Sequence, residues 1–541
     1  MFDTCRLERA GVAAQRSVVM ACQGMVATSQ PLAVEAGVSI LKQGGNALDA
    51  AIATALTLSV VEPMSTGIGG DAFLLYYSAA DDRIYGLNGS GRCPRQLTLE
   101  ALRQRGIHGI PQRGLASVTV PGAIDAFWEA HQRHGRLPFA ALFEPAIYYA
   151  SEGFPVSEII AAQWQQAVPL LSQYPTSART YLIDGKAPRP GDVHRQPELA
   201  RTLRLLAAGG REVFYRGELA RRIVQFVQEN GGFLTLEDFA THTSEWVEPI
   251  GTTYRGYTVL ELPPNTQGVA ALLALNLLEG FELAAMTYGS PAYYHLLIEA
   301  TKLALADRNR YVADPACAAV PVAGLLAKAY AAQRRQEISP RRAGDFGPGD
   351  PAAFGNTVYV ACVDRERNVV SLIHSLFMGF GSGVVAGDTG ICLHNRGAGF
   401  VADPEHPNAL APGKRPLHTL IPAMVLKDGR PWLCYGVMGG DMQAQGHVQV
   451  LVNLIDFDMN VQEALEAPRY RVLGGRRVAL ERAISQEVRR ALAAMGHELL
   501  PYGELPPGTP YGGGQAILID GARGVLHGGS DPRKDGCAIG Y

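Results

Sequence analysis

Apolar residues recur at helical spacing from Pro31 to Gln43, and Gly44-Gly45 closes that run as glycines at a helix end do. Asn46 opens a second helix, Ala47 to Val61. It is alanine-rich and apolar almost all round, the pattern of a helix buried on most sides. Past Glu62-Pro63 comes Gly67-Ile68-Gly69-Gly70-Asp71, then a strand over Ala72 to Tyr77. The dinucleotide fingerprint needs a strand before its glycines and a helix after them. The order here is reversed, so the glycines predict close backbone packing beside a pocket. From Val120 to Glu218 the pattern is mostly helical, and Thr235 caps a further helix start. A strand over Tyr254 to Leu262 leads through a Pro-rich loop to helices Val269–Leu278 and Ala292–Tyr311. The charges Glu299, Lys302, Asp307, Arg308 and Arg310 on the second of these read as ion pairs.

From Arg334 to Asn356 no period survives. The stretch is dense in Pro, Gly and charge, which predicts a mobile connector. Beyond it, Thr357 to Asp364 and Val369 to Leu376 are two strand candidates, joined by Arg365-Glu366-Arg367-Asn368 as a hairpin. Val384 to Phe400 reads as strand and turn. Ala423–Leu426 and Trp432–Tyr435 form another hairpin, and Gly439-Gly440 opens a helix, Met442 to Ile455.

Composition narrows the function. In 541 residues, 47% hydrophobic and 18% charged residues are those of a globular protein with a large core. A net charge of -3 gives no reason for nucleic acid or an anionic membrane as partner. No apolar run is long enough for a membrane span and no secretory signal is recognisable, so a cytoplasmic location is expected. The eight cysteines lack metal-ligand spacing and read as buried thiols, and no metal or cofactor is expected. There is no HExxH, GxSxG or Walker motif, and His374 and His418 taken alone read as structural.

The connector-to-strand junction offers another chemistry. A threonine at a chain start carries its own base, an α-amino group of pKa roughly 8. Nucleophile and base are then one residue. Pattern alone makes Thr357 an ordinary β-branched strand residue.

The chain nevertheless resembles the γ-glutamyltransferase family of amino-terminal-nucleophile hydrolases over nearly its whole length. The likeness rests on Gly44 to Ala51, Gly67-Ile68-Gly69-Gly70, Pro121-Gly122 and Phe214-Tyr215-Arg216-Gly217. It continues through Gly232 to Asp238, Tyr254 to Tyr257, Ala306 to Pro315, Gly439-Gly440, Ser530 to Arg533 and Gly540-Tyr541. That resemblance implies an α+β fold, a four-layer αββα sandwich. It also implies self-cleavage before Thr357 into fragments 1–356 and 357–541, which stay together as a heterodimer with further dimerisation left open. Thr357 falls in the nucleophile position. Ser375 stands where the family usually has a supporting threonine, and serine keeps the hydroxyl. Gly439 and Gly440 match the pair whose N–H groups hold the oxyanion, donors worth on the order of 3 kcal/mol in a transition state.

The glutamyl-binding positions differ. They hold Ser90, Phe377, Arg396, Gly399, His418 and Thr419, and the residues after the nucleophile are Val358 and Tyr359. With Arg396, His418 and Thr419 in the substrate-binding places, a guanidinium able to fork a carboxylate replaces acceptors for an ammonium. The expectation is hydrolysis of a small amide such as oxamate. A γ-glutamyltransferase or glutathione hydrolase is the alternative, and an unprocessed, non-catalytic relative is a second one.

Overall fold

The computed structural model describes residues 14–346, 356–501, 504–505 and 510–541. Two seven-stranded antiparallel sheets lie face to face. The first runs, in spatial order, Cys537–Gly540, Met25–Thr28, Asn356–Val363, Val369–Phe377, Asp71–Ser78, Arg83–Gly89, Glu245–Val247. The second runs Val19–Ala21, Val525–Ser530, Gly514–Asp520, Arg430–Val437, Ala423–Lys427, Tyr257–Glu261, Ile250–Tyr254.

The alternation of each strand assigns the layers, because successive side chains point to opposite faces. In the strand Asn356–Val363, Val358, Val360 and Cys362 join a core shared with the helices Pro31–Lys42 and Ala47–Val61. Tyr359, Ala361 and Val363 face the other way, against Met424, Cys434, Ile517 and Leu526 of the second sheet. Val425, Leu433, Tyr435 and Ala516 then face outward, onto the helices Gly268–Leu278, Pro291–Tyr311 and Met442–Ile455. These three apolar interfaces make the four layers αββα, as expected.

The central helix Ala47–Val61 is buried at every residue. Asn46 and Asp49 form a reciprocal capping box at its start, and Asp49 also receives the N–H groups of Arg136 and Leu137. Before it, Gly44 takes φ +96°, which closes the first helix at little cost only for glycine.

Four expectations need correction. Tyr254 to Leu262 is not one strand but part of a hairpin, turning at Arg255 (φ +50°) and Gly256 (φ +84°). The paired left-handed residues suit a hairpin turn, and arginine disguised it. Val384 to Phe400 holds only an isolated Val385–Cys392 bridge and a short 3-10 turn, Arg396–Gly399. The expected connector is ordered over its first half. The helix Lys328–Arg335 includes its first two residues, and Ile338 and Ala343 are buried. Residues 347–355 lie outside the described part. Finally, Cys22 and Cys317 are exposed rather than buried. Of the helix charges, Glu299–Lys302, Asp307–Arg334 and Arg308–Asp441 are ion pairs, while Arg310 lies over the Tyr311 ring. No described helix is long and apolar enough to cross a membrane.

Candidate active site

Thr357 is the second residue of a strand whose pairing slips between Asn356 and Val358. Its side chain is buried, and Oγ1 donates to Ser375 Oγ over 3.2 Å. Ser375 lies on the neighbouring strand, and its Oγ also receives the Phe377 N–H at 2.7 Å. Two residues on from Thr357, Tyr359 spans the gap between the sheets. A Cβ on Gly436 would stand 2.4 Å from its ring, so glycine lets the two sheets close up here.

The strand containing Gly436 continues into Met438-Gly439-Gly440. Gly439 (φ +117°) and Gly440 (φ +64°) occupy backbone regions that side chains avoid. Neither N–H has a hydrogen-bond partner among the described residues, so both are available to an outside acceptor. The Gln267 side chain fixes this turn. Its Nε2 donates to Gly440 O (3.1 Å) and Thr419 O (2.9 Å), and its Oε1 accepts from Arg308 Nη1 (2.6 Å). The same Arg308 nitrogen reaches Asp441 Oδ1 at 2.6 Å.

Arg396 is buried beneath the Phe377 ring, its guanidinium carbon 4.0 Å from the ring centre. Nη1 donates to Thr419 Oγ1 at 3.0 Å, whereas Nε and Nη2 have no partner among the described residues. Burial pushes this guanidinium down to about 9, against the pull of Asp71 and Asp441. A buried cation with spare donors is costly unless an anion completes it. Beside it opens a cavity of about 710 Å³ whose lining includes Phe346, Phe377, Phe400, Arg308, Thr419 and Asp441.

All of the expected site residues except His418 thus form one connected set. Thr357 meets Ser375, which meets Phe377, which covers Arg396, which meets Thr419; Gln267 joins Thr419 to Gly440. His418 is turned away from that set. Its Nε2 donates to Asp71 Oδ2 (3.0 Å) and its Nδ1 accepts from Leu420 N (3.2 Å), leaving neither nitrogen for a substrate. Burial, reinforced by Arg396, pushes its pKa down to about 3, so the ring is neutral. His374 donates to Gly67 O and packs edge-on against Phe127, on the helix side of the sheet.

Sequence reasoning passed over Asp71, which organises this region. Oδ1 accepts the N–H groups of Gly91 (3.1 Å) and Gly122 (3.2 Å), and His394 Nδ1 stands 3.3 Å from Oδ2. Burial alone would raise this carboxyl, but His394 and His418 hold it well below the usual carboxylate range. The signal was a carboxylate between glycines and a fully apolar strand, where only several donors make burial tolerable. Ser90 is likewise occupied, receiving Asn265 Nδ2 at 3.1 Å.

Comparison with known proteins places these features in context. The gamma-glutamyltranspeptidase family profile matches residues 33–541. The glutathione hydrolase-like YwrD proenzyme of Bacillus subtilis is 41% identical over 531 residues, covering 96% of this chain and 99% of that one. The oxamate amidohydrolase proenzyme of Klebsiella pneumoniae is 36% identical, covering 96% of this chain and 98% of that one. Among solved structures, cephalosporin acylase from Bacillus halodurans superposes with a TM-score of 0.92 at 46% identity, covering 100% of this chain and 99% of that one.

Proposed function

The chain belongs to the gamma-glutamyltranspeptidase family of amide-acting hydrolases, and from that premise we propose that it is a self-processing amidohydrolase whose nucleophile is Thr357. In the first step Thr357 Oγ1 attacks the Asn356 carbonyl. The peptide C–N bond breaks as an ester forms, and water hydrolyses the ester to a carboxylate at Asn356 and a free amine at Thr357. In turnover, Oγ1 attacks the substrate amide while the α-amine takes its proton and passes it to the leaving amine. The N–H groups of Gly439 and Gly440 hold the tetrahedral oxyanion, and water then cleaves the acyl ester. Ser375 keeps the Thr357 hydroxyl in one orientation.

The observation that carries the substrate assignment is Arg396, buried with Nε and Nη2 unpartnered and joined to the Thr357 pair through Phe377. A carboxylate next to the scissile amide satisfies both donors at once, in the planar fork that suits arginine. Oxamate is the smallest such amide. The test compares oxamate, glutathione and a glutaryl amide on matured protein, with denaturing electrophoresis alongside. Wild type is expected to give two bands and to cut oxamate, and Thr357→Ala to give one band and no turnover. Robust glutathione hydrolysis without oxamate hydrolysis overturns the substrate assignment; a wild type that stays full length overturns the nucleophile.

A second reading is an acyl amide larger than oxamate, in line with relatives named acylases. What favours it is the cavity, whose about 710 Å³ and three phenylalanines exceed what oxamate needs.

A further inference from the structure

Phe346 lines the cavity beside Phe377 and Thr419, yet by sequence it belongs to the connector upstream of the cleavage junction. The segment leading to it is tied down from two sides. The helix Pro291–Tyr311 supplies three contacts: His295 Nε2 with Ser339 O (2.7 Å), Glu299 Oε2 with Gly344 N (2.7 Å) and Lys302 Nζ with Gly344 O (3.2 Å). From the far part of the chain, Met495 O accepts the Ala343 N–H at 2.7 Å. His497 Nε2 shares a hydrogen bond with His295 Nδ1 (2.8 Å), and His497 Nδ1 stands 3.3 Å from Lys302 Nζ. His295, Glu299 and His497 have the donor atoms of a metal site. However, the Lys302 ammonium lies 2.8 Å from Glu299 Oε1 and supplies that carboxylate's counter-charge, and the two histidine rings are hydrogen-bonded to each other, so the cluster works as a polar latch. None of these ties uses the peptide bond before Thr357.

We propose that Ile338–Phe346 is a permanent wall of the substrate cavity, held by this latch before and after cleavage, and that Phe346 is a specificity-determining residue for the amine half of the substrate. The proposal rests on the reading above, in which Arg396 takes a carboxylate and so confines the acyl half to the Phe377 side. What remains of the cavity, with Phe346 in its lining, then receives the part beyond the scissile bond.

Two measurements test it. Hydrogen exchange on matured wild type should leave the Ala343 and Gly344 amides as protected as in uncleaved Thr357→Ala, within about threefold, while Lys302→Met should expose them. Exchange that becomes fast on maturation, or is untouched by Lys302→Met, overturns the latch. Kinetically, oxamate and N-phenyloxamate share an acyl half and differ only in the amine. Phe346→Ala should raise KM for N-phenyloxamate about tenfold and leave oxamate within twofold, with Phe346→Leu between them. Equal changes for both compounds, or no change, overturn the role of Phe346. Failure of the wild type to cut either compound counts against the substrate reading instead, and the exchange result alone then decides the wall.

Discussion

Thr357 Oγ1 donates to Ser375 Oγ over 3.2 Å, and the serine oxygen also receives the Phe377 N–H, so one hydroxyl fixes both the candidate nucleophile and the turn over Arg396. Ser375→Ala strips a partner from two buried donors, each of which costs about 1–3 kcal/mol when left unsatisfied. Maturation and turnover should both slow by roughly ten- to a hundredfold. Ser375→Thr, which keeps the hydroxyl, should mature normally. The appearance of two bands over time on a denaturing gel measures this, and an alanine variant that matures at the wild-type rate removes Ser375 from the mechanism.

Much of this arrangement was legible in the chain, for identifiable reasons. Val358 to Val363 is an unbroken apolar run, the pattern of a strand covered on both faces, so its place between two layers follows from composition. Asn46 and Asp49 announce their helix by capping chemistry. The hairpin at Arg255-Gly256 was hidden because arginine occupies a left-handed position. The order of Ile338 to Phe346 was hidden because its ties reach to Met495 and His497, about 150 residues away in sequence. Asp71 was overlooked for the same reason: its donors come from Gly91, Gly122, His394 and His418, four separate segments.

Acid stability should be set by histidines before carboxylates. Burial pushes His194, His242 and His374 down to about 4 and His418 to about 3, so all four are neutral in the fold. Unfolded, they titrate near 6.5. Between about pH 6.5 and 4 the unfolded chain therefore binds more protons, and stability falls as pH falls, by up to about 1.4 kcal/mol per pH unit for each histidine. Asp71 is also held low, but its contribution stays complete until pH drops below about 4. Urea midpoints should decline from about pH 6.5 downward, and His374→Gln should flatten the slope by about one histidine's share. Midpoints constant from pH 8 to 4.5 contradict this account.

Arg396 should matter for carboxylated amides and not for neutral ones. Arg396→Gln removes a charge-assisted fork worth about 2–3 kcal/mol, so kcat/KM for oxamate should fall roughly a hundredfold. Arg396→Lys keeps the charge without the planar fork and should recover part of that loss. Oxamide, with a second amide in place of the carboxylate, should change less than about threefold in either variant, and electrophoresis should show normal maturation. Parallel losses on oxamate and oxamide place Arg396 outside carboxylate recognition.

Gln267 should act on turnover rather than on affinity. Its amide holds the carbonyls of Gly440 and Thr419, and Arg308 holds the amide from behind. Gln267→Ala frees a turn whose left-handed glycines have no other side-chain tether among the described residues, so their N–H groups lose their fixed aim. Oxyanion donors act only as charge develops, so a misaimed pair lowers kcat and leaves ground-state binding alone. We expect kcat on oxamate to drop about tenfold or more with KM within about twofold, which separates this role from that of Arg396. Gln267→Glu offers a stricter comparison, because it keeps the contact to Arg308 but cannot donate to Gly440 O. It should be as slow as the alanine variant while unfolding closer to the wild-type temperature. A glutamate variant with full kcat shows that Gln267 serves packing alone.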